Sequence, residues 1–384
     1  MDLDAFFASC EQLEHPEYRG LPVVVGARPG HRGVVAAASY EARRFGIHSA
    51  MPISEAFRRC PDAVFLRPDM EKYRRHSRQV FQILETLAPV VEAASIDEAY
   101  LDVSGLEKLL GTPAAIGHEI KQRILDGTGL TASVGIGPNR LIAKLGSEHR
   151  KPDGLTVVFP EQVLDFLAPM PVANLRGLGR QTQKVFSRLG ISTVQQLRAF
   201  PLPLLEQHLG KKAAASFHRQ AMGIASDQIL PGQRRKSISK ETTFETDIRD
   251  NTRLHDALRG LAAEVARTAR REGLSGAVVT LKIRFAGFET CTRQYTRTTP
   301  TCDEREMLKT AWQLFLDGKL PDKPVRLIGI GLSDWEEGQP TQADLFDQPE
   351  QQQDNKRLLA TIDAVTEKFG KQLLQVGVPR KPGK

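Results

Sequence analysis

Apolar residues recur along this chain at changing intervals, and the changes divide it. In residues 70–88, Tyr73, Val80, Phe81, Leu84 and Leu87 return at helical spacing, which predicts one long amphipathic helix. Short apolar runs bounded by glycine or proline predict strands at Val23-Val24-Val25-Gly26 and from Thr131 to Gly137. Residues 11–20 read as a helix that ends near Gly20-Leu21-Pro22. Gly33 to Gly46 runs from a strand into a short helix closed by glycine. Met51-Pro52 opens a further helix, which Cys60-Pro61 stops, and residues 113–126 form another. Asn139 caps the next helix. This alternation predicts an α/β sheet over about the first 157 residues. Residues 160–230 read as short helices without strands. Beyond a turn-rich, basic linker from Leu230 to Ser237 the order becomes a strand, a helix at 252–272, two strands, a helix at 303–317 and a strand at 325–332. That is a small α+β domain. The tail from Glu336 is polar, rich in Gln and Pro, and reads as disordered. A helix at 354–374 follows, with Leu358, Ile362, Val365, Phe369 and Leu373 on one stripe.

Two stretches break the apolar pattern with acids. Ala94 to Asp102 reads as a short buried strand interrupted by Asp97 and Glu98. Met1 to Phe7 again sets acids, Asp2 and Asp4, among apolar residues. Successive strand residues point to opposite faces, so Asp97 and Glu98 cannot both face a core. Two such strands side by side gather three or four carboxylates, whose repulsion a pair of divalent cations relieves. Metals held about 3.5–4 Å apart by carboxylates are the phosphoryl-transfer centres of polymerases and nucleases. The segment 11–69 is then an insertion between the two acidic strands.

Charge and composition narrow the partners. Of 384 residues, 53 are Lys or Arg and 46 Asp or Glu, a net charge of +7 that favours a polyanion. No apolar run is long enough to span a membrane, and no basic-then-apolar leader opens the chain. Cys10, Cys60, Cys291 and Cys302 are dispersed, which speaks against a zinc site or disulfide framework and suits a reducing cytoplasm. Gly177-Leu178-Gly179, between helical patterns and next to Arg180, is a turn whose backbone N–H groups suit a phosphate. In Leu281-Lys282-Ile283-Arg284-Phe285 the cations take one face of a strand, and Arg293, Tyr295 and Arg297 alternate likewise. Helices behind such a sheet and cations in front make a nucleic-acid saddle.

Together, Asp2-Leu3-Asp4-Ala5-Phe6-Phe7, Tyr40-Glu41-Ala42-Arg43, Ser95-Ile96-Asp97-Glu98, Ser133-Val134-Gly135-Ile136, Lys151-Pro152-Asp153-Gly154 and the Gly177-Leu178-Gly179 hairpin resemble the Y-family DNA polymerases, in their DinB branch, along nearly the whole chain. The resemblance implies a right-hand polymerase. Its ferredoxin-like palm would take 1–10 and 70–157, small fingers 11–69, a helical thumb with a helix-hairpin-helix 158–228, a linker 229–236, an α+β little finger 237–335 and a tail 336–384. It implies a template-directed, translesion DNA polymerase without proofreading and of low fidelity, a cytoplasmic monomer. Asp2, Asp97, Glu98 and the Leu3 carbonyl would bind two Mg2+ ions. Tyr40, Arg43 and Lys151 would contact the deoxynucleoside triphosphate. Phe6 and Phe7 would lie at the nucleotide, Phe7 as the steric gate against a 2′-hydroxyl and Phe6 turned to the core. Val34, Ala36 and Ala50 would form a small-residue roof over the nascent pair. Primer-template DNA would meet Gly177, Gly179, Arg180, Lys236, Lys282, Arg284, Arg293 and Arg297. Gln342-Ala343-Asp344-Leu345-Phe346 is similar to the bacterial sliding-clamp peptide, with Ala343 where Leu is usual. Gln342, Leu345 and Phe346 would dock. The alternatives are a UmuC-like subunit that needs accessory proteins, a nucleotidyl cyclase with a palm-like core, and an inactive DNA- or clamp-binding scaffold.

Family members carry about five residues, mostly apolar, before the first catalytic acid, whereas Met1 directly precedes Asp2 here. The expectation is a start a few residues upstream. It includes a loosely held Asp2, a competing α-amino charge and a poor polymerase in the 384-residue form.

Overall fold

A computed structural model of the chain describes residues 1–232, 234–336 and 349–369. Two compact units, Met1–Gln233 and Arg234–Lys384, divide inside the expected linker.

The first unit opens with a two-residue strand, β1 (Asp2–Leu3), and helix α1 (Phe6–Glu14). Strands β2 (Val23–Gly26) and β3 (Val35–Ala38), helices α2 (Tyr40–Arg43) and α3 (Ile53–Arg59), and strand β4 (Val64–Leu66) follow. Next come α4 (Met70–Leu87), β5 (Val90–Ala93), β6 (Ala99–Asp102), α5 (Glu107–Leu110), α6 (Pro113–Thr128), β7 (Ala132–Ile136), α7 (Arg140–His149) and β8 (Leu155–Val157). Short helices α8 (Val163–Leu167), α9 (Arg180–Arg188), α10 (Val194–Ala199), α11 (Leu202–Leu209) and α12 (Lys211–Ala221) complete it.

Side chains written into the sequence start these helices. Asp69 caps α4 by accepting from Glu71 and Lys72 N–H, and Asn139 caps α7 through Leu141 and Ile142 N–H. Thr112 caps α6, with Pro113 at its first position. Of the predicted stripe of α4, Tyr73, Val80, Leu84 and Leu87 are buried and Phe81 is partly buried. They pack with Ile116, Ile120 and Ile124 of α6 and Val134 of β7 in one core. Fully burying such a side chain contributes about 1.5–3 kcal/mol.

β1 lies between two pieces of sheet. It pairs antiparallel with β7, Asp2 opposite Ser133, and a single bridge joins Asp2 to Glu98 beside the β5–β6 hairpin. Helix α7 packs closely on β7 because residue 135 is glycine: a Cβ there would stand 2.1 Å from Ala143 O and 2.3 Å from Ser147 N. That approach carries Lys144 to the edge where Asp2 and Glu98 meet.

Two expected elements differ. Ala94–Asp102 is not one strand: the strands are β5 and β6, and 94–98 form the turn between them, where Ala94 and Ser95 N–H both donate to Glu98 O. Strand alternation therefore does not govern Asp97 and Glu98. At the start of the chain the strand ends at Leu3, and Ala5, at φ 44°, turns it into α1. The helix expected at 11–20 thus begins earlier, and Pro16–Tyr18 is only a 3-10 turn.

The second unit contains β9 (Ser237–Ile248), α13 (Asn251–Arg271), β10 (Gly276–Phe285), β11 (Thr290–Thr301), α14 (Glu304–Asp317), β12 (Val325–Trp335) and α15 (Pro349–Phe369). Its antiparallel sheet runs β11-β10-β12-β9. Val279, Leu281, Ile283 and Phe285 alternate inward beneath α13 and α14. α15 is held by Asp363, whose carboxylate accepts from Arg270 at 2.6 and 2.8 Å, and by buried Leu359. The expected stripe is displaced by about one residue at its first position: Leu358 and Phe369 are exposed and Leu359 is buried. Leu373 lies outside the described residues.

Candidate active site and nucleic-acid surfaces

The acids of the first unit meet around two ammonium groups. Lys144 Nζ lies 2.6 Å from Asp2 Oδ2, 2.9 Å from Glu98 Oε1 and 2.9 Å from Glu148 Oε1. Lys151 Nζ contacts the other Asp2 oxygen. Burial opposes ionisation of Asp2, but Lys151 and Lys144 outweigh it and hold its carboxyl below the usual range. Burial likewise works against the Lys144 charge, and its hydrogen bonds to Asp2 and Glu98 win, raising its pKa. Asp97 stands in the same turn, its backbone O accepting from Leu3 N–H at 2.9 Å and its carboxylate from Ser95 Oγ at 2.5 Å.

Asp2 is held, contrary to expectation. It is only 5% exposed. The Met1 α-amino group donates to Ala99 O at 2.8 Å, and Ala99 N–H donates to Met1 O at 3.1 Å. Burial pushes this amine down to about 6, so near neutral pH it is mostly uncharged and competes weakly for the carboxylates.

Among the described residues no three His, Cys, Asp or Glu side chains form a ready cage for a metal. The donor set nonetheless fits a divalent cation. Hard carboxylate oxygens of Asp2 and Glu98 already share one cation, and Asp97 sits next to them. The Leu3 carbonyl belongs to the same strand, β1.

Asp4, not assigned a role from sequence, ties the surroundings together. It is buried and accepts from Ser133 Oγ (2.8 Å), Asp153 N–H (2.8 Å) and Tyr40 Oη (3.4 Å). One carboxylate thus fixes the loop carrying Lys151 and the phenol of Tyr40. Burial and Asp4 push the Tyr40 pKa up to about 12, which keeps it a hydrogen-bond donor. Arg43 stacks on the Tyr40 ring at 4.6 Å and donates to Ala38 O. Phe6 is buried, whereas Phe7 is half-buried and stacks on Tyr73, ring centroids 4.1 Å apart. Both lie on α1, so helix geometry rather than strand alternation separates them. Val34, Ala36 and Ala50 are all exposed. Lys144 and Glu148 were the other residues missed. The signal was an i,i+4 pair on a helix seven residues ahead of Lys151, but such pairs usually sit in solvent.

The candidate DNA contacts fall into three groups. Gly177, at φ +80°, and Gly179, the N-cap of α9, have open space where a Cβ would be, and Arg180 beside them is exposed. Lys236 is exposed just before β9. On the sheet, Lys282 and Arg284 take the face opposite the helices, as expected. Lys282 pairs with Glu241 at 2.6 Å, and Arg284 donates to Thr290 Oγ1 at 2.9 Å. Ser237, Ser239, Thr280, Thr292, Gly329 and Gly331 share that face by register. Arg293 and Arg297 do not. Arg293 pairs with Leu281, whose side chain lies under the helices, so Arg293, Tyr295 and Arg297 are on the helix side of edge strand β11. Arg293 donates to Gly318 O at the end of α14 (2.9 and 3.1 Å), and Arg297 pairs with Glu306 of α14 at 2.9 Å. Alternation says that these residues share a face, but only register says which. Gln342, Leu345 and Phe346 lie outside the described residues.

Comparison with known proteins agrees with this geometry. Residues 1–148 match the impB/mucB/samB family and 235–345 its C-terminal domain. Residues 173–225 match the thumb domain of DNA polymerase-iota. Among solved structures, a Y-family DNA polymerase chimera, Dbh-Dpo4(243-245)-Dbh, superposes with a TM-score of 0.76 at 27% identity, covering 88% of this chain and 98% of that one. The insertion ternary complex of Dbh DNA polymerase gives 0.63 at 26% identity, with coverages of 88% and 98%. DNA polymerase IV of Halorhodospira halophila is 43% identical over 346 residues, 90% of this chain and 97% of that protein. DNA polymerase IV of Dehalococcoides mccartyi is 40% identical over 385 aligned residues, 98% and 96% of the two chains. A right-hand fold with acids at the palm sheet and a separate α+β sheet is that of a Y-family enzyme. The chain belongs to the Y-family DNA polymerases, in the branch of the DNA polymerase IV proteins.

Among the described residues no helix is long and apolar enough to cross a membrane.

Proposed function

We infer that this chain is a DNA-directed DNA polymerase for translesion synthesis, extending a primer 3′-hydroxyl with deoxynucleotides. Its membership among the DNA polymerase IV proteins supports the activity, and its likeness to the insertion ternary complex of Dbh DNA polymerase supports DNA and nucleotide as ligands. The observation that carries the reading is the shared cation between Asp2 and Glu98, with Asp97 in the same turn.

Asp2, Asp97, Glu98 and the Leu3 carbonyl are the ligands we assign to two Mg2+ ions. Bound there, the ions supply an acidified 3′-hydroxyl and neutralise phosphate charge. The chain's own residues do the positioning on which phosphoryl transfer depends. Lys151 and Arg43 offer cations to the triphosphate oxygens, and Tyr40, kept protonated, donates a hydrogen bond. Phe7 sets its ring against the sugar and excludes a 2′-hydroxyl, while Phe6 anchors α1 in the core. Asp4 holds Lys151 and Tyr40 in mutual register. Exposed, small Val34, Ala36 and Ala50 leave room above the nascent pair, which supports low fidelity and tolerance of damaged template bases.

The palm, fingers, thumb and little finger take the boundaries given above. Gly177, Gly179 and Arg180 grip the DNA backbone in the thumb; Lys236, Lys282 and Arg284 do so from the little finger. Gln342, Leu345 and Phe346 tether the enzyme, a monomer of the cytoplasm, to the sliding clamp.

Primer extension by the purified chain tests the reading. The expected outcome is template-directed, Mg2+-dependent extension by the single polypeptide. Dependence on added protein subunits would favour a UmuC-like role, and template-independent cyclisation of a nucleoside triphosphate would favour a cyclase.

A further inference from the structure

Lys144 has no part in the mechanism above, yet its ammonium is the most heavily used cation of the site. It is 15% exposed and touches three carboxylates within 3 Å: Asp2, Glu98 and Glu148. Two of these are assigned to metal, and the third is not. Glu148 is one turn further along α7 and 47% exposed. Asp2 and Glu98 each place an oxygen against this one ammonium, whose charge offsets their mutual repulsion, while Lys151 takes only the outer oxygen of Asp2. A cavity of about 70 Å³, lined by Met1, Glu98, Ala143, Lys144 and Ser147, lies beside the lysine stem.

We propose that Lys144 is an internal counter-ion that holds Asp2 and Glu98 together in the metal-free enzyme and is displaced onto Glu148 when a divalent cation binds. The proposal rests on the reading that Asp2 and Glu98 are metal ligands. Each partner has a place in the exchange. In the metal-free state the ammonium spans all three carboxylates, so the ligands stay folded and preorganised. A divalent cation between Asp2 and Glu98 brings twice the charge to the same oxygens and repels the ammonium. Glu148 keeps the displaced ammonium paired, and the cavity leaves the lysine stem room to swing. Lys144 is thus a positioning residue: it acts through Asp2 and Glu98 and needs no contact with substrate. Its effect has a characteristic sign. It stabilises the metal-free protein and weakens metal binding, because the metal must first displace it.

The test uses Mn2+ alone, without DNA or nucleotide, added to the full chain. Free Mn2+ is read by electron paramagnetic resonance, and melting temperature is recorded with and without the ion. Lys144→Met is expected to bind Mn2+ about tenfold more tightly than wild type, because a competing cation at contact distance is gone. It should melt lower than wild type without metal and recover most of the difference with it. Glu148→Gln retains Lys144 but removes its second resting place, and is expected to weaken Mn2+ binding about threefold. A purely structural lysine would lower the melting temperature equally in both conditions and leave affinity unchanged or weaker, which overturns the proposal. Should Lys144→Met fail to fold, Glu148→Gln decides: unchanged Mn2+ affinity overturns the proposal. Glu98→Gln separates the two levels of inference. Mn2+ binding insensitive to that change defeats the metal-ligand reading and the counter-ion with it. Binding that depends on Glu98 but does not tighten in Lys144→Met defeats the counter-ion alone.

Discussion

The carboxylate turn of the first unit and the open sheet face of the second handle charge in opposite ways. At the turn, Asp2 and Lys144 side chains are 7% and 15% exposed and lie 2.6 Å apart. On the sheet, Lys282 and Glu241 are equally close, at 2.6 Å, but 37% and 48% exposed. Distance is the same and environment is not. Water screens the surface pair to a fraction of a kcal/mol or little more. The half-sequestered pair keeps its field concentrated at a few oxygens, which under the proposed reading would suit transition-state stabilisation. The sheet face sets Lys282 and Arg284 in water among small Ser, Thr and Gly positions, which under the proposed reading would suit a sliding grip on phosphates. Chemistry should therefore be fragile to single changes in the first unit, and DNA affinity should be robust to single changes in the second.

The largest expected effect is at the turn. Glu98→Gln, which keeps shape and removes charge, should lower single-turnover incorporation by about 10³-fold or more. Retention of a tenth of the wild-type rate would remove Glu98 from the chemistry. Next comes the sugar. Phe7→Ala should reduce the preference for deoxy- over ribonucleotides by about 10²-fold, measured as the ratio of kcat/KM values. An unchanged ratio would make Phe7 only the partner of Tyr73 in the core.

The sheet should respond more gently. Replacing both Lys282 and Arg284 by Ala should weaken DNA binding several-fold at low salt and reduce the log–log salt slope by about 2. The rate at saturating DNA should not move. A slope unchanged by the double replacement would take the face out of the interface. Arg293→Ala, on the helix side of the same sheet, sharpens the contrast. It should leave the salt slope alone and cost about 1 kcal/mol of stability by freeing Gly318 O, read by denaturant unfolding. A fall in slope equal to that of Lys282 or Arg284 would show that the edge strand also meets DNA.

Much of this was legible in the chain because local signals agreed with tertiary ones. Asp69, Thr112 and Asn139 mark helix starts, and the α4 stripe names its buried residues. The acids were visible as interruptions of apolar runs. Their arrangement was not: residues 94–98 form the turn of the β5–β6 hairpin, where strand alternation does not apply, and only the distant β1 brings Asp2 and Leu3 against it. The same limit hid the faces of β11, where Arg293 and Arg297 obey the expected alternation from the other side. Asp4 was visible only as one more acid of the gathered set, and only the fold brings it to Ser133, 129 positions away. Lys144 was not singled out at all, because nothing beyond its i,i+4 spacing to Glu148 marks it until Gly135 lets α7 approach the strand beneath it.

Asp97 offers the most direct test of the central assignment, that these acids serve a metal and not DNA or the fold. Its carboxylate accepts from the hydroxyl of Ser95, two positions away in the same turn, so Asp97→Asn should leave the fold intact. The measurement is single-turnover incorporation and primer-template Kd on the same preparation of that variant, at several Mg2+ concentrations. The account predicts a rate lower by about 10³-fold with Kd within about twofold of wild type. A loss of DNA affinity as large as the loss of rate, or a rate that survives, would contradict it.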